Sequence, residues 1–391
     1  MSGGWDRVGL AEGAGGAVRA TDLLQPDARG LACPAGGFHV DPWGGCPVAV
    51  ITHAHGDHAR AGAGVYYTAV EGRELLARRL PAGSRIVAKE FGEPFELGSV
   101  RVSLHPAGHV RGSAQVRVEG ARGGVWVASG DYKRQRDATC SPFEVVACDV
   151  FITEATFAMP IYTWRETSEE VARLARWWGE ARAQGKSCVV FSYALGKAQR
   201  LLSELWQLGA QEEFAWVRGE KVLLHGAISA LTGVYREAGV EMMETSTVTE
   251  AGEAGESAER DEAGDGGEVI KPARRSAKRR EIGPCLAIAP PSAAGSSWMR
   301  RFGPSSRVET GFASGWMQVR GIRRRRGYDR GFVISDHADW LDLLRTIRET
   351  GARRVLATHG STETLAAYVR ECMGLDSQPL EMADGAYGAE E

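Results

Sequence analysis

The apolar run PVAVI (47–51), followed at once by THAHGDH (52–58), is the stretch from which the fold of this chain can be read. A strand-like segment ends in a turn that carries three histidines within six residues, from a total of nine in 391. His53 and His55 alternate along the strand direction and so point the same way. The turn that follows brings Asp57 and His58 round to a neighbouring point. Imidazole and carboxylate are the donors that suit Zn²⁺, Mn²⁺ or Fe²⁺. A polar turn with incidental histidines is the plain alternative, and the density of imidazoles argues against it.

Working outward, other strand-like runs also end in an acid or a histidine: Asp41 in FHVDPW, His109 in HPAGHVRGSAQ and Asp131 in ASGDYK. Glu154 in VFITEATF, His337 in ISDHADW and His359 in VLATHG complete the series. The segment EGRELLARRL has helical composition, and Thr167-Ser168 before Glu169-Glu170 predicts a capped helix over VARLARWWGEARAQ. KSCVVFSYA reads as a buried strand, and GKAQRLLSELWQLG as a helix with Leu201, Leu202, Leu205 and Leu208 at helical spacing. A basic, strand-like stretch runs up to Arg326. WLDLLRTIRETG (helix), RRVLATHG (strand) and TETLAAYVREC (helix) close the chain. Strands alternating with helices at both ends predict an α/β architecture with layered sheets.

Composition bounds the rest. Residues 241–280 hold ten acidic and seven basic side chains; removing them from 50 acidic and 47 basic leaves 40 of each. The remainder is neutral, so a bound polyanion would need a local patch, and Arg323, Arg324, Arg325 and Arg326 form one. Residues 244–280 have almost no large apolar side chain and are expected to be a disordered insertion. Seven scattered cysteines with no C-x-x-C pair argue against a disulfide framework and fit a reducing cytoplasm. No apolar run approaches the roughly 20 residues that span a bilayer, and the N-terminus lacks the regions of a signal peptide.

The run H-x-H-x-D-H after a strand, with Asp41, His109, Asp131 and His359 in order, resembles the metallo-β-lactamase superfamily. Glu154, His337 and FSYALGKAQ (191–199) resemble the extra motifs of its β-CASP nuclease branch. Over residues 31–372 the wording is most similar to bacterial DNA ligase-associated exonucleases. The resemblance implies an αββα sandwich built from residues 1–165 and 331–391, with a β-CASP domain inserted at 166–330. It implies two divalent metal ions, zinc first, with manganese or iron as the other cations the donors suit. His53, His55 and His109 would hold one, Asp57, His58 and His359 the other; Asp131 would bridge them and Asp41 would steady the ligand loop. His337 would be the general acid, with Glu154 orienting it. His359 departs from Artemis-type nucleases, which have an apolar residue there.

The expected function is therefore hydrolysis of DNA by a metal-dependent exonuclease, in repair beside a DNA ligase, with no membrane partner. The alternatives are a ribonuclease of the RNase J or polyadenylation type, a small-molecule hydrolase of the superfamily, and an inactive scaffold. Lys133 is expected either to steer a phosphate or to pair with a surface acid. His39, His105, His225 and the helical tryptophans are expected mainly to have packing roles.

Overall fold

A computed structural model describes residues 22–248 and 282–381. The chain opens with six short strands: β1 (Gln25–Asp27), β2 (Gly30–Cys33), β3 (Phe38–Val40), β4 (Val48–Val50), β5 (Val65–Ala69) and β6 (Ile86–Lys89). They form one sheet in sequential order. The helix α1 (Arg73–Arg79) connects its last two strands. A second sheet starts with β7 (Phe95–Leu97), β8 (Val100–Pro106), β9 (Ala114–Gly120), β10 (Val125–Ala128) and β11 (Val150–Ala155).

The chain then leaves through helix α2 (Thr167–Ala183) and builds a third sheet from β12 (Ser187–Phe191), β13 (Val222–Leu224), β14 (Thr245–Thr247), β15 (Leu286–Ala289), β16 (Val308–Ala313) and β17 (Arg330–Phe332). Its order is β14-β13-β15-β12-β16-β17 and every pairing is parallel. Helices α3 (Lys197–Leu208), α4 (Gly226–Glu237) and α5 (Arg320–Arg326) belong to this part. After α6 (Trp340–Thr350), strand β18 (Arg354–Gly360) returns to pair in parallel with β11. Helix α7 (Thr362–Met373) and strand β19 (Asp376–Pro379) finish the second sheet. Strands 150–155 and 354–360 are thus neighbours in space although a whole sheet separates them in sequence.

The first two sheets face each other. Phe38, Val40 and Val50 meet Val102, Leu104, Val116, Ile152 and Leu356 in one buried cluster. The period-two pattern of β8 and β9 makes this possible, because alternate residues reach the same face. The opposite face of the second sheet carries Val127, Phe151 and Val355 against Trp340, Leu343 and Ile347 of α6 and Leu365 and Val369 of α7. Beyond the first sheet, Ala49, Ile51 and Tyr66 share a cluster with Leu75 and Leu76 of α1 and with Val171, Leu201 and Ile228 of α2, α3 and α4. All five residues of β12 are buried, as a central parallel strand covered on both faces requires.

Four sequence expectations need correction. Helix α2 begins at Thr167 as predicted, but the capping pair is absent; Glu170 instead accepts from the Val333 N–H at 2.9 Å, tying α2 to the segment after β17. The basic stretch is a helix, not a strand: α5 has no buried residue and ends at Gly327, in the left-handed region at φ 68°. Strand β17 crosses the expected boundary at 330. The insertion also starts later than expected, since Thr245–Thr247 pair with β13 and Val248 is buried among Phe302 and Phe312. The remainder of that insertion, 249–280, lies outside the described residues.

A deletion of 244–280 should therefore melt roughly 2–6 °C below a deletion of 250–280, because it removes an edge strand and the burial of Val248. Equal melting temperatures, measured by calorimetry, would show that β14 contributes nothing.

Candidate metal centre

Strand ends deliver the expected side chains to one place. His53, His55 and His58 follow β4, His109 lies between β8 and β9, Asp131 follows β10, and His359 sits near the end of β18. Asp131 is 5% exposed, and its Oδ2 lies 3.4 Å from His58 Nε2, 3.5 Å from His53 Nε2 and 3.8 Å from His109 Nε2. Donor atoms of His53, His55, His109 and Asp131 lie within 4.8 Å of one another. Of the second expected set, His58 Nε2 is 3.6 Å from Asp57 Oδ2 and its ring lies 5.5 Å from that of His359, but Asp57, His58 and His359 are not among the donor clusters within 4.8 Å found among the described residues.

The outer nitrogens decide what the inner ones can do. His109 Nδ1 donates to the Asp336 carbonyl at 2.8 Å and His55 Nε2 to the Leu195 carbonyl at 3.2 Å. His58 Nδ1 donates to Asp41 Oδ2 at 2.8 Å. Each ring therefore turns its other nitrogen, a lone pair when the ring is neutral, toward the cluster. His53 Nε2 and His109 Nε2 stand 3.0 and 3.1 Å from His55 Nδ1. Lone pairs packed this closely repel unless a cation or proton lies between them. The donor set thus fits a divalent cation, with imidazole nitrogens and one buried carboxylate oxygen.

Electrostatics agrees. Burial, reinforced by His337, pushes the His109 imidazole down to about 3. Burial and the neighbouring His58 and His55 hold His53 well below the usual histidine range. Burial would raise the Asp131 carboxyl, but His58, His337 and His53 overcome it and hold the group well below the usual carboxylate range. His58 is the exception: burial opposes its charge, yet Asp131 and Asp41 raise it well above the usual value.

Asp41 and His359 are the two non-glycine residues with positive φ among the described residues, at 43° and 56°. Such strain persists where the surroundings over-determine it. Asp41 Oδ1 accepts from the Thr52 N–H at 2.7 Å, and Oδ2 from the Thr52 hydroxyl at 2.5 Å. Thr52 also touches His53 Nδ1 at 3.0 Å, a role that sequence reasoning missed although the residue adjoins the motif. Gly130, at φ 55°, has no room for a side chain, since a Cβ would come within 2.7 Å of Thr52.

Glu154 and His337 form a separate buried pair, with Nδ1 to Oε2 at 2.8 Å. Glu154 Oε1 accepts from the Tyr132 N–H at 2.7 Å. Burial raises the Glu154 carboxyl, with His337 opposing. The ring of His337 lies 4.7 Å from that of His109, and donor atoms of Asp131, Glu154 and His337 also fall within 4.8 Å of one another.

The remaining expectations divide. His39 bonds Asp27 at 2.9 Å, His105 bonds Glu144 and Ser103, and His225 caps α4 through the Ala227 N–H. Lys133 is not a nucleic-acid contact: it is 1% exposed and its ammonium is bound to Asp137 Oδ2 at 3.0 Å. Arg323 closes on the Met317 carbonyl at 2.7 Å, whereas Arg324, Arg325 and Arg326 are exposed, together with Arg320. All seven cysteines are free thiols. Cys140, near the site, donates to the Gly108 carbonyl, and burial pushes its thiol upward, away from the thiolate a metal would need.

Among known proteins, no family model matches the chain. It is similar to a probable DNA ligase of Opitutus terrae, at 28% identity over 345 residues, covering 88% of this chain and 30% of that protein. It is also similar to the cleavage and polyadenylation specificity factor 73 of Drosophila melanogaster, at 35% identity over 31% of this chain and 18% of that protein. A ribonuclease of Thermus thermophilus matches at 30% identity over 31% of this chain and 27% of its own length. The chain spans less than a third of the length of these relatives. A crystal structure of a protein of unknown function from Enterococcus faecalis shares the fold, with a TM-score of 0.50 and 12% identity over 81% of this chain and 76% of that one. Among the described residues, no helix is long and apolar enough to cross a membrane.

The depressed His109 gives a signed expectation. In the fold it stays neutral down to about 3, whereas unfolded it takes a proton near 6.5, so between those values the unfolded state binds more protons. Metal-free protein should lose stability as pH falls below about 6.5, and His109→Gln should lose less over the same window. Urea midpoints at about pH 7 and pH 4.5 measure the difference; parallel losses would remove His109 as the cause.

Proposed function

We propose that this chain is a metal-dependent phosphodiesterase that hydrolyses DNA, an exonuclease acting beside a DNA ligase. Its architecture, on this reading, is an αββα sandwich built from the described residues up to about 165 and from about 333 onward, with a β-CASP domain between them that includes β17. The observation that carries the proposal is the pairing of two unlike histidine environments. Imidazoles converge on Asp131 Oδ2, and one ring away His337 is held by a buried glutamate, with its donor atom also within 4.8 Å of those of Asp131 and Glu154.

His53, His55 and His109 would hold one cation, Asp57, His58 and His359 a second, and Asp131 would stand between them. Two divalent cations, zinc first, would supply Lewis acidity toward the phosphate oxygens and a water activated for attack. The chain's own part is to prepare the proton. A phosphodiester's alkoxide is a poor leaving group, and His337 Nε2 would donate to it while Glu154, bonded at Nδ1, fixes the ring and stabilises the imidazolium. Phe157 stands 5.9 Å from the His337 ring and 4.7 Å from Trp316, which lies just before the exposed arginines of α5. The exposed Arg320, Arg324, Arg325 and Arg326 would be the cations available to a phosphate backbone on that side.

DNA is favoured by likeness along 88% of the chain to a probable DNA ligase, whereas the RNA-cleaving relatives match over about 31%. The second reading, a ribonuclease, has the higher identity of 35% in its favour. End-labelled single-stranded DNA and RNA, incubated with the protein and Mn²⁺ or Zn²⁺, decide between them: shortening from one DNA end supports the proposal, and cleavage of RNA alone overturns it.

Three mutational outcomes follow. Asp131→Ala should lose metal and activity together, because two cations would repel across the gap. His337→Ala should keep its metal but slow DNA cleavage by about 10²–10⁴-fold, and a p-nitrophenyl phosphodiester should recover much of that loss. Metal loss in His337→Ala, or equal losses on both substrates, would exclude the acid role. Replacing Arg320, Arg324, Arg325 and Arg326 by alanine should weaken DNA binding and flatten its salt dependence by about 0.7–0.9 log units for each phosphate no longer neutralised. An unchanged slope would make α5 merely a solvated helix.

A further inference from the structure

The tripeptide Ser335-Asp336-His337 connects the two histidine environments. The Asp336 carbonyl accepts from His109 Nδ1 at 2.8 Å, and the next residue is His337 itself. The His337 N–H donates to Ser335 Oγ at 3.1 Å. The place of one peptide therefore sets the orientation of a ring in the Asp131 cluster and of the ring paired with Glu154.

What holds that peptide comes from elsewhere in the fold. Lys197 and Arg200 lie one turn apart at the start of α3, which belongs to the third sheet. Their side chains are 4% and 0% exposed. Arg200 Nη1 donates to the Ser335 carbonyl at 2.6 Å and stands 3.7 Å from Asp336 Oδ1; its Nη2 donates to the Thr167 hydroxyl. Lys197 Nζ is 3.4 Å from Asp336 Oδ2. Arg200 Nε is 3.4 Å from Asp137 Oδ2, which also takes Lys133 at 3.0 Å. Lys133 lies two residues past Asp131 in sequence, so this dry ionic network joins the loop after β10, the start of α3 and the loop that carries His337.

A buried ionic network is a poor way to gain stability, since apolar groups of the same shape are often as stable. The bond from Arg200 Nη1 to the Ser335 carbonyl is directional and fixes geometry, Lys197 holds Asp336 as a buried ion pair, and catalysis is sensitive to displacements of about 1 Å. We propose that Lys197 and Arg200 are positioning residues, which hold Ser335 and Asp336 so that His109 and His337 keep their orientations while neither cation touches the reacting atoms. The catalytic half of this inference rests on the assignment of His337 as the proton donor; the structural half does not.

The test uses full-length Lys197→Met, close in length but uncharged, with Lys197→Arg as the conservative rescue. In metal-free protein with ¹⁵N-labelled histidine, the Nδ1–H resonances of His109 and His337 should move or broaden in Lys197→Met and return in Lys197→Arg. In loaded protein, Lys197→Met should lower kcat on DNA by about 10–100-fold, lower it much less on a p-nitrophenyl phosphodiester, and leave KM little changed. Arg200→Lys, which keeps the charge but loses the fork that reaches Ser335, serves the same purpose if Lys197→Met does not fold. Unchanged resonances in a folded variant overturn the proposal, as do equal losses on both substrates or failure of Lys197→Arg to restore either readout. If His337→Ala itself shows no dependence on the leaving group, the proton-donor assignment fails, and the resonances alone still decide whether the cations position the two rings.

Discussion

One carboxylate oxygen, Oδ2 of Asp131, stands among the Nε2 atoms of His53, His58 and His109 at 3.4–3.8 Å, and much of the fold can be understood as the means of keeping it there. A carboxylate withdrawn from water would ordinarily take up a proton. Here the surrounding imidazoles hold it ionised, and hydrogen bonds on the outer edges of the rings determine which nitrogen faces it. Charge and direction are therefore fixed by the same contacts.

Those contacts come from widely separated sequence. The strained backbone at Asp41 places its carboxylate on Thr52 and His58 together, which ties the first sheet to the ligand loop. The strained backbone at His359 comes from the last long strand, brought alongside β11 by parallel pairing. Backbone strain at two residues is small beside the burial of the facing sheets, which share a cluster from Phe38 and Val50 to Ile152 and Leu356. A rigid interior makes the strain tolerable, and the strain makes the donors converge.

The third sheet is bound into this arrangement in two ways. Its helices share an apolar cluster with Ile51 and Tyr66 on the outer side of the first sheet. Its two buried cations reach the loop before His337. The apolar contact supplies attraction without direction, and the ionic contact supplies direction with little net attraction. Together they let a unit remote in sequence from the histidine run bear on the His337–Glu154 pair.

The sequence by itself determined the local chemistry. The run after β4 carries His53, His55, Asp57 and His58 within six residues, and strand-like runs ended at or near Asp41, His109, Asp131, Glu154 and His359. Short-range periodicity is legible because it depends only on residues a few positions apart. Tertiary structure decided what periodicity cannot reach. Lys133 looked available beside Asp131, yet folding buries it on Asp137; Glu170 looked like a helix cap, yet it holds Val333. The arginine run became a helix, and Thr245–Val248 joined a sheet despite a polar composition. In each case the deciding partner lies far away in the chain or in an adjoining sheet. A side chain's role then follows from burial and from the nearest unsatisfied polar group, which only the assembled fold can specify.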